Sequence, residues 1–342
     1  MYKAIALLHL TLALVLAHAS AIAEPNIELV YQLKASVAKV HVFTAKGAHG
    51  MGTGVVVAKN LVATNCHVLA NATGVSISKF GESFAPVALK ADWKHDVCIL
   101  RFEYLDLKPV ELGDSENLKY QQEMFSVGFS GGSPKPLTTF GRIKALYPLD
   151  DSVIIRTDAS FIMGASGSPV FDNDGKLIAL STFKSPGHGA YYYNLPVKWL
   201  KALIEAPETT SMKTDESPFW DALDENRPFF MRVVLPFQNE KWSDLDKVAQ
   251  LWVAKEPNSP EAHYYLGFAE EKLGHAQIAK MQFNQAITLQ PHHTGSLFEL
   301  GLIAKQEGNQ PELERLKLAI KEVNDDSLAE FNESINPKPP IN

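Results

Sequence analysis

The stretch that decides the fold of the first half of this chain is Gly54-Val55-Val56-Val57-Ala58-Lys59-Asn60-Leu61-Val62-Ala63-Thr64. Two apolar runs of strand length flank Lys59-Asn60, and a two-residue connection between such runs predicts a β-hairpin. Asn173-Asp174-Gly175 predicts a second hairpin, because Asp-Gly favours tight turns between strands. Further apolar runs of strand length lie at residues 97–102, 152–157, 170–171 and 176–182. Many short strands separated by turns predict a β-barrel or β-sandwich, which we assign to residues 24–205, with a closing helix over 196–205.

The second half of the chain has a different hydrophobic period, which changes from two to 3.6 residues after about residue 240 and predicts helices. Three pairs of sites lie 34 residues apart, namely Pro257 and Pro291, Leu266-Gly267 and Leu300-Gly301, and Gly274 and Gly308. This is the period of the tetratricopeptide repeat, a helix–turn–helix unit. Residues 260–293 resemble that repeat most closely, and degenerate neighbours extend the resemblance over residues 241–325.

Stacked repeats of this type form extended concave faces, so the resemblance implies a docking surface for a partner or a peptide. The alternative is a plain helical hairpin that only stabilises the chain. Because such units usually need three or more neighbours to bury their apolar faces, this short array is expected to lean on the β domain.

The segments that follow the β domain and the helical repeats are polar and rich in proline. Residues 206–218 are polar and flanked by prolines, and we predict a linker over 206–240. Asn336-Pro337-Lys338-Pro339-Pro340 predicts a frayed tail, assigned to residues 326–342.

The N-terminus has the pattern of a secretory signal peptide, assigned to residues 1–23. Lys3 precedes a mostly apolar stretch of 14 residues, 4–17, and Ala21-Ile22-Ala23 supplies small residues for cleavage. This stretch is shorter than the roughly 20 residues that a transmembrane helix needs. The alternative interpretation of residues 1–23 is a membrane anchor or a buried helix. The sequence therefore predicts an exported protein, with the periplasm the best fit, full secretion an alternative, and no membrane span in the mature chain.

The composition excludes several other classes of protein. Of the 342 residues, 46% are hydrophobic and 21% charged, which is ordinary for a globular chain. The formal net charge of −7 argues against a nucleic-acid partner, because such proteins are normally basic. Cys66 and Cys98 are too few for a disulfide framework or a four-cysteine zinc site. We predict no metal site and no cofactor.

Three segments carry side chains suited to nucleophilic catalysis: Ala63-Thr64-Asn65-Cys66-His67-Val68, His95-Asp96-Val97-Cys98-Ile99-Leu100, and Gly164-Ala165-Ser166-Gly167-Ser168-Pro169. A serine hydroxyl is a weak nucleophile and needs a general base within hydrogen-bond reach. The base needs a carboxylate that orients it, and the developing oxyanion needs backbone N–H donors, which a glycine-rich loop can supply.

In these three segments the chain resembles the trypsin-like serine proteases of the HtrA/Deg type, over residues 40–205. Gly52-Thr53-Gly54-Val55 and Arg156-Thr157-Asp158-Ala159-Ser160 resemble two further segments of that group, and the order and spacings of 29 and 70 residues also suit it. The resemblance implies a multidomain chain: an all-β double six-stranded barrel followed by the all-α repeats.

The resemblance also implies a role for each site residue. His67 is the general base and acid, Asp96 orients it, and Ser166 is the nucleophile. The N–H groups of Gly164 and Ser166 form the oxyanion hole. The implied substrate-binding residues are Ser160, Ser181, Thr182, Phe183 and Tyr192.

Two departures from the family pattern weaken a direct transfer of its properties. Ser168 stands where the family usually has glycine, which thickens the loop behind the nucleophile. The helical repeats occupy the place of the usual PDZ module, so the family's regulation is not carried over. A separate motif, Gly128-Phe129-Ser130-Gly131-Gly132, matches the serine elbow of α/β-hydrolases, but the prolines that follow predict a glycine-rich loop between two strands instead.

Residues around Ser160 predict the character of the substrate pocket. Phe161-Ile162-Met163 is apolar, Tyr191-Tyr192-Tyr193 is expected to narrow the pocket wall, and no carboxylate is placed to attract Lys or Arg. We therefore expect a preference for small or medium apolar side chains. If His67 and Asp96 touch, Cys66 and Cys98 lie close together. These cysteines can then form either a disulfide or two buried thiols, and the sequence does not decide between them.

Three functions are compatible with this pattern. The first is an exported serine endopeptidase that acts on protein substrates and uses the repeats to dock a substrate or partner. The second is a protease-like adaptor with little turnover, which Ser168 and the missing PDZ module would allow. The third is an esterase that acts on small acyl groups by the same chemistry.

Overall fold

The computed structural model describes residues 25–187 and 189–336, so the predicted signal peptide lies outside the described residues.

A first helix, α1 (Ile27–Ala35), precedes the strands and is capped by Asn26, whose side chain accepts from the Glu28 N–H. The strands of this part of the chain are β1 (Val37–Thr44), β2 (His49–Ala58), β3 (Leu61–Asn65), β4 (Ala72–Lys79), β5 (Glu82–Phe84), β6 (Ala88–Asp92), β7 (Val97–Arg101), β8 (Glu123–Gly128), β9 (Leu137–Leu149), β10 (Ser152–Thr157), β11 (Pro169–Phe171), β12 (Leu177–Lys184) and β13 (Tyr192–Pro196).

Both predicted hairpins are confirmed. β2 and β3 pair in an antiparallel arrangement across Lys59-Asn60, where Asn60 takes the left-handed conformation with φ 63°. β11 and β12 pair across the Asp174-Gly175 turn. Val55, Val56 and Val62 on the first hairpin are fully buried. Alternate residues of a strand face opposite sides, so a strand that is apolar at successive positions must be covered on both faces.

The expectation of two six-stranded barrels is only partly correct. β8 to β13 form a closed six-stranded barrel in the order β10-β13-β12-β11-β8-β9. Strands β1 to β7 form a seven-stranded sheet in the order β5-β4-β1-β2-β3-β7-β6. Its two edge strands, β5 and β6, do not pair with each other, so the sheet does not close into a barrel. The edge of β6 is taken by a later part of the chain instead, because Leu89 and Thr209 exchange two backbone hydrogen bonds of 2.7 Å.

The remaining chain is mostly helical. A short helix, α2 (Cys66–Leu69), follows β3, and the predicted helix after the barrel is α3 (Val197–Ile204). The C-terminal region consists of α4 (Phe229–Arg232), α5 (Val234–Gln238), α6 (Trp242–Lys255), α7 (Pro260–Lys272), α8 (Ala276–Leu289), α9 (Thr294–Gln306), α10 (Gln310–Val323) and α11 (Asp325–Ile335). No helix in the described part of the chain is both long and apolar enough to cross a membrane.

Small residues let the C-terminal helices approach each other, as the repeat pattern predicts. A Cβ at Gly267 of α7 would lie 2.8 Å from the Phe283 ring of α8, and a Cβ at Gly301 of α9 would lie 2.3 Å from the Phe331 ring. Both rings are fully buried. The region is therefore a packed helical array, and its identity as tetratricopeptide repeats stays a prediction.

Residues 206–240 are not a free linker, contrary to our expectation. Besides the Thr209 pairing, the Asn71 N–H donates to the Met212 carbonyl and the Phe219 N–H to the Lys94 carbonyl. Most of the polar side chains that suggested a linker face the solvent, while backbone groups and a few side chains, such as Glu208 on Arg101, supply the contacts. The segment thus runs along the first sheet towards the helices.

The predicted tail begins later than expected. Residues 325–335 form α11, capped by Asn324, and bury Phe331 and Ile335 against α9 and α10. The proline-rich sequence that predicted the tail lies at its very end, and residues 337–342 are outside the described part of the chain.

The helical region packs directly on the barrel. Arg156 of β10 reaches out of the barrel, places its guanidinium 4.5 Å from the Tyr191 ring centroid, and donates to the Tyr265 hydroxyl of α7 at 3.3 Å. Beside it, Trp252 of α6 packs against Tyr147 of β9. This contact gives the short array the neighbour that it needs to cover its apolar face.

A buried carboxylate next to this contact makes the interface sensitive to acid. Burial by itself would raise the pKa of Glu261, but the charges of His293, whose Nε2 lies 3.3 Å from the carboxylate, and of Arg156 hold this pKa below its usual value. A carboxyl group with a lowered folded-state pKa stabilises the fold above its unfolded pKa and loses that contribution as the pH falls through the folded value.

We therefore expect Glu261→Gln to cost about 1–3 kcal/mol near pH 7, because it leaves buried donors without their charged partner. The difference from the wild type should shrink below about pH 4.5, where the Glu261 carboxyl of the unfolded wild-type chain becomes protonated, and should vanish as the pH falls through the lowered pKa of the folded state. Thermal unfolding at pH 7 and pH 4 measures both values. A difference that stays constant between these pH values would contradict the assignment.

Candidate active site

The side chains of His67 and Asp96 meet because two paired strands end at the same place. β3 and β7 are antiparallel, and Asn65, at the end of β3, pairs with Val97, at the start of β7. His67 lies in the short helix that follows β3, and Asp96 immediately precedes β7. The His67 Nδ1 lies 2.7 Å from the Asp96 Oδ2.

The third side chain comes from the turn between β10 and β11. The Ser166 Oγ lies 2.9 Å from the His67 Nε2, which completes a continuous chain of hydrogen bonds from Asp96 through the imidazole to the hydroxyl. His67 remains partly open, with 27% of its side chain exposed, whereas the Asp96 side chain has no exposed surface. This is the arrangement in which a histidine can take a proton from serine while a carboxylate holds its orientation.

The Asp96 carboxylate is satisfied by four donors. The His67 backbone N–H donates to Oδ1 at 2.7 Å, while the His67 Nδ1, the Thr182 hydroxyl and the Trp220 indole N–H approach Oδ2 at 2.7, 2.6 and 3.1 Å. A buried carboxylate needs such partners, because it has lost its water. The residue itself takes the left-handed conformation, with φ 62°. This strained backbone turns the side chain towards the imidazole.

The turn that carries Ser166 requires glycine on both sides. Gly164 and Gly167 have φ values of 93° and 84°. A Cβ at Gly167 would lie 2.2 Å from the Thr53 carbonyl oxygen, and a Cβ at Gly164 would lie 2.5 Å from the Phe129 carbonyl oxygen. Any larger side chain would force the turn away from these neighbours.

Thr53 fastens this turn to the first sheet. Its N–H donates to the Ser166 carbonyl at 2.8 Å, and its hydroxyl donates to the Gly164 carbonyl at 2.9 Å. The same hydroxyl accepts from the Phe129 N–H at 3.0 Å, and the Thr53 carbonyl accepts from the Thr64 hydroxyl at 2.8 Å. Thr53 is completely buried. The carbonyl groups of Gly164 and Ser166, which flank the proposed oxyanion donors, are thereby held by one residue of β2, through its hydroxyl and its backbone N–H respectively.

The two cysteines form a disulfide in the structure. Their Cα atoms lie 4.9 Å apart, because Cys66 follows the end of β3 and Cys98 lies on the paired strand β7. The cross-link therefore joins the element that carries His67 to the strand that follows Asp96.

The predicted substrate-binding residues divide into two groups. Ser181 and Thr182 are buried, and the Ser166 Oγ lies 3.5 Å from the Thr182 carbonyl oxygen. The Thr182 side chain points to Asp96, so it belongs to the hydrogen-bonded site itself. Ser160 is exposed, and Tyr192 is half-buried with its ring 5.1 Å from that of Phe161.

The expected wall of three tyrosines does not exist. Tyr193 points into the barrel core, where it is fully buried and stacks on Phe183 at 4.6 Å. Tyr191 lies over the Arg156 guanidinium instead. Successive residues of a strand face opposite sides, so three adjacent tyrosines cannot line one pocket. Tyr192 alone faces Phe161.

The unusual Ser168 is accommodated by a glycine on the neighbouring strand. A Cβ at Gly128 would lie 1.7 Å from the Ser168 Oγ. The serine side chain thus fills the space that Gly128 leaves empty. Residues 128–132 form the predicted loop between β8 and β9 rather than a serine elbow.

Sequence reasoning missed two residues of the site. Thr53 lies in a quoted motif, but the sequence alone does not show that its hydroxyl reaches the serine turn. Trp220 lies in the segment assigned as a linker, where an aromatic pair, Phe219-Trp220, in polar sequence was an available signal. Within the described residues, no group of three or more His, Cys, Asp or Glu side chains is arranged to hold a metal ion.

Part of the chain is similar to known proteins. Residues 52–180 match the family model of the trypsin-like peptidase domain. The chain is 29% identical over 155 residues to the "Probable periplasmic serine endoprotease DegP-like" of Halomonas elongata, which covers 43% of this chain and 33% of that protein. It is 30% identical over 141 residues to the Pseudomonas fulva protein of the same name, covering 40% and 29%. The chain thus spans about a third of the length of these curated relatives.

A solved structure has the same fold. The active form of the Rv3671c protease from M. tuberculosis superposes with a TM-score of 0.50, at 22% identity, over 56% of this chain and 92% of that one. At this identity the likeness shows the fold alone, a chymotrypsin-like β-barrel protease fold. The domain match and the curated relatives show that this part of the chain is similar to a trypsin-like peptidase domain and to proteins named as DegP-like serine endoproteases.

The contacts of Thr53 predict a specific effect of its hydroxyl. Thr53→Val should leave the Phe129 N–H and the Gly164 carbonyl without their buried partner, at a cost of about 1–3 kcal/mol. It should also slow labelling of Ser166 by a fluorophosphonate about tenfold or more, because the donors of the turn lose their fixed orientation. Thr53→Ser keeps the hydroxyl and is the matched control. Equal labelling rates in the two variants would contradict this role.

Proposed function

We propose that this chain is an exported serine endopeptidase that hydrolyses peptide bonds in protein substrates. The observation that carries the proposal is the continuous hydrogen-bond chain from the buried Asp96 through His67 to Ser166, with distances of 2.7 and 2.9 Å. The domain match and the endoprotease names of the curated relatives support the same reaction class.

The proposed mechanism proceeds through an acyl-enzyme. The Ser166 Oγ attacks the carbonyl carbon of the scissile bond while the His67 Nε2 takes the hydroxyl proton, and Asp96 stabilises the resulting imidazolium. The N–H groups of Gly164 and Ser166 stabilise the oxyanion. The tetrahedral intermediate collapses as His67 returns the proton to the leaving amine. A water molecule, deprotonated by His67, then releases the acyl group and regenerates Ser166.

We further propose that substrate side chains next to the scissile bond are small or medium and apolar. Phe161 and the exposed Ile162 and Met163 lie directly before the serine turn, and Ser160 supplies no charge. Tyr192 narrows the same side through its contact with Phe161. Cleavage profiling with a peptide library tests the preference, and a strong preference for Lys or Arg would exclude it.

The C-terminal helices are proposed to dock a substrate or partner. They present exposed apolar side chains, among them Met281 of α8 and Leu318 of α10, which are 60% and 65% exposed. Export to the periplasm is proposed from the leader-like residues 1–23 and from the Cys66–Cys98 disulfide, which is stable in an oxidising compartment.

A fluorophosphonate probe tests the proposed nucleophile. We expect stoichiometric labelling of Ser166 in the wild type, no labelling of Ser166→Ala, and no label on Ser130 of the hydrolase-like motif, as mapped by mass spectrometry. Loss of the nucleophile should lower the rate of peptide hydrolysis by about 10⁴-fold or more.

The outcomes of this experiment distinguish the proposed functions. Labelling together with cleavage of casein supports the endopeptidase, whereas hydrolysis of short esters without cleavage of casein indicates an esterase. Absence of labelling, even after addition of substrate peptides, contradicts the enzymatic function and favours a binding protein built on this fold.

A further inference from the structure

The indole of Trp220 reaches the site from outside the barrel and the first sheet. Trp220 lies in a short turn, Phe219–Asp221, of the segment that connects α3 to the C-terminal helices. The turn is fastened to the first sheet, because the Phe219 N–H donates to the Lys94 carbonyl at 3.0 Å, two residues before Asp96. Trp220 is half-buried, so its ring is held against the protein but is not part of a core.

Three contacts fix the orientation of this indole. Its Nε1–H donates to the Asp96 Oδ2 at 3.1 Å. Its ring stands edge-on to the His67 imidazole, with centroids 5.3 Å apart and planes at 90°. It also stacks on Phe183, with centroids 5.5 Å apart and planes at 22°. The imidazole is thus confined by Trp220 in addition to Asp96 and Ser166.

We propose that Trp220 is a positioning residue for the Asp96–His67 pair, an inference that rests on the proposed function. The indole N–H is the third donor to the same oxygen, Oδ2, that receives the His67 Nδ1 and the Thr182 hydroxyl. The oxygen is held in place by partners on several sides, so the carboxylate cannot rotate away from the imidazole. The ring, which stands edge-on to the imidazole, also limits its tilt.

Trp220 links the triad to the helical region. The segment that supplies Trp220 continues into α4, where Phe229 stacks on Trp252 of the helical array with ring centroids 6.2 Å apart. A hydrogen bond to the buried carboxylate therefore comes from sequence that lies outside residues 24–205. The geometry of the triad depends on a part of the chain that connects it to the helices.

The test compares two substitutions that each remove one indole N–H bonded to a carboxylate. Trp220→Phe keeps an aromatic ring beside His67 but removes the donor to Asp96. Trp252→Phe is the matched control, because the Trp252 Nε1 of α6 donates at 2.7 Å to Glu256, the residue that follows this helix, and not to a residue of the triad. Both variants are made in the full chain, and their thermal unfolding is measured alongside.

We expect Trp220→Phe to lower kcat for peptide hydrolysis about tenfold with little change in KM, since the hydrogen bond positions the catalytic pair and does not touch substrate. The downfield proton resonance of the His67 Nδ1–H should move in this variant. Trp252→Phe should leave kcat and that resonance at their wild-type values, even where it lowers the unfolding temperature. A Trp220→Phe variant with wild-type kcat and an unmoved resonance would overturn the proposal.

Two further measurements keep the inference separate from the proposed function. The His67 Nδ1–H resonance requires no turnover, so it tests the positioning role even if the wild type hydrolyses no peptide. In the wild type, the Trp220 indole proton should exchange slowly with solvent. Measuring this exchange needs no variant, so it tests the proposal even if Trp220→Phe does not fold. Fast exchange of this proton, at the rate of an unbonded indole, would also overturn the proposal.

Discussion

The structure depends on the burial of one carboxylate. Asp96 has no exposed surface, and its four hydrogen-bond donors come from three separate parts of the chain: the helix after β3, strand β12 of the barrel and the segment after the barrel. A buried charge without partners costs far more than the net gain of an ordinary hydrogen bond. The first sheet, the barrel and the connecting segment must therefore dock in one arrangement, and that arrangement also sets the position of His67.

The serine turn is fixed by a different kind of constraint, namely the lack of space around its backbone. Gly167 lies against the Thr53 carbonyl, and Thr53 holds the carbonyls of Gly164 and Ser166. The position of the hydroxyl thus follows from steric exclusion and from the buried hydrogen bonds that Thr53 makes to the backbone of the turn. The same reasoning explains why Ser168 is tolerated, because Gly128 provides the volume that its side chain needs.

The helical region is joined to the barrel by aromatic and cationic side chains. Arg156 of β10 lies among the rings of Tyr147, Tyr191 and Tyr265, and Phe230 stacks on Tyr147 with ring centroids 4.4 Å apart. The strand that carries Arg156 leads directly into the serine turn. Both connections of the helical array, through β10 and through the Trp220 segment, therefore end at the proposed catalytic site.

The sequence by itself determined the elements and the candidate chemistry. The hairpin across Lys59-Asn60, the change to a helical period after about residue 240, and the residues His67, Asp96 and Ser166 follow from local patterns, because turn residues, hydrophobic periods and motifs are written in neighbouring positions. Only the tertiary structure decided that the first sheet does not close into a barrel and that Thr209 pairs with the free edge of β6. It also decided that Thr53 and Trp220 contact the site. These contacts join residues far apart in sequence, and their energy comes from satisfying buried polar groups. No local pattern shows which buried group will lack a partner until the sheets and the segment are packed together.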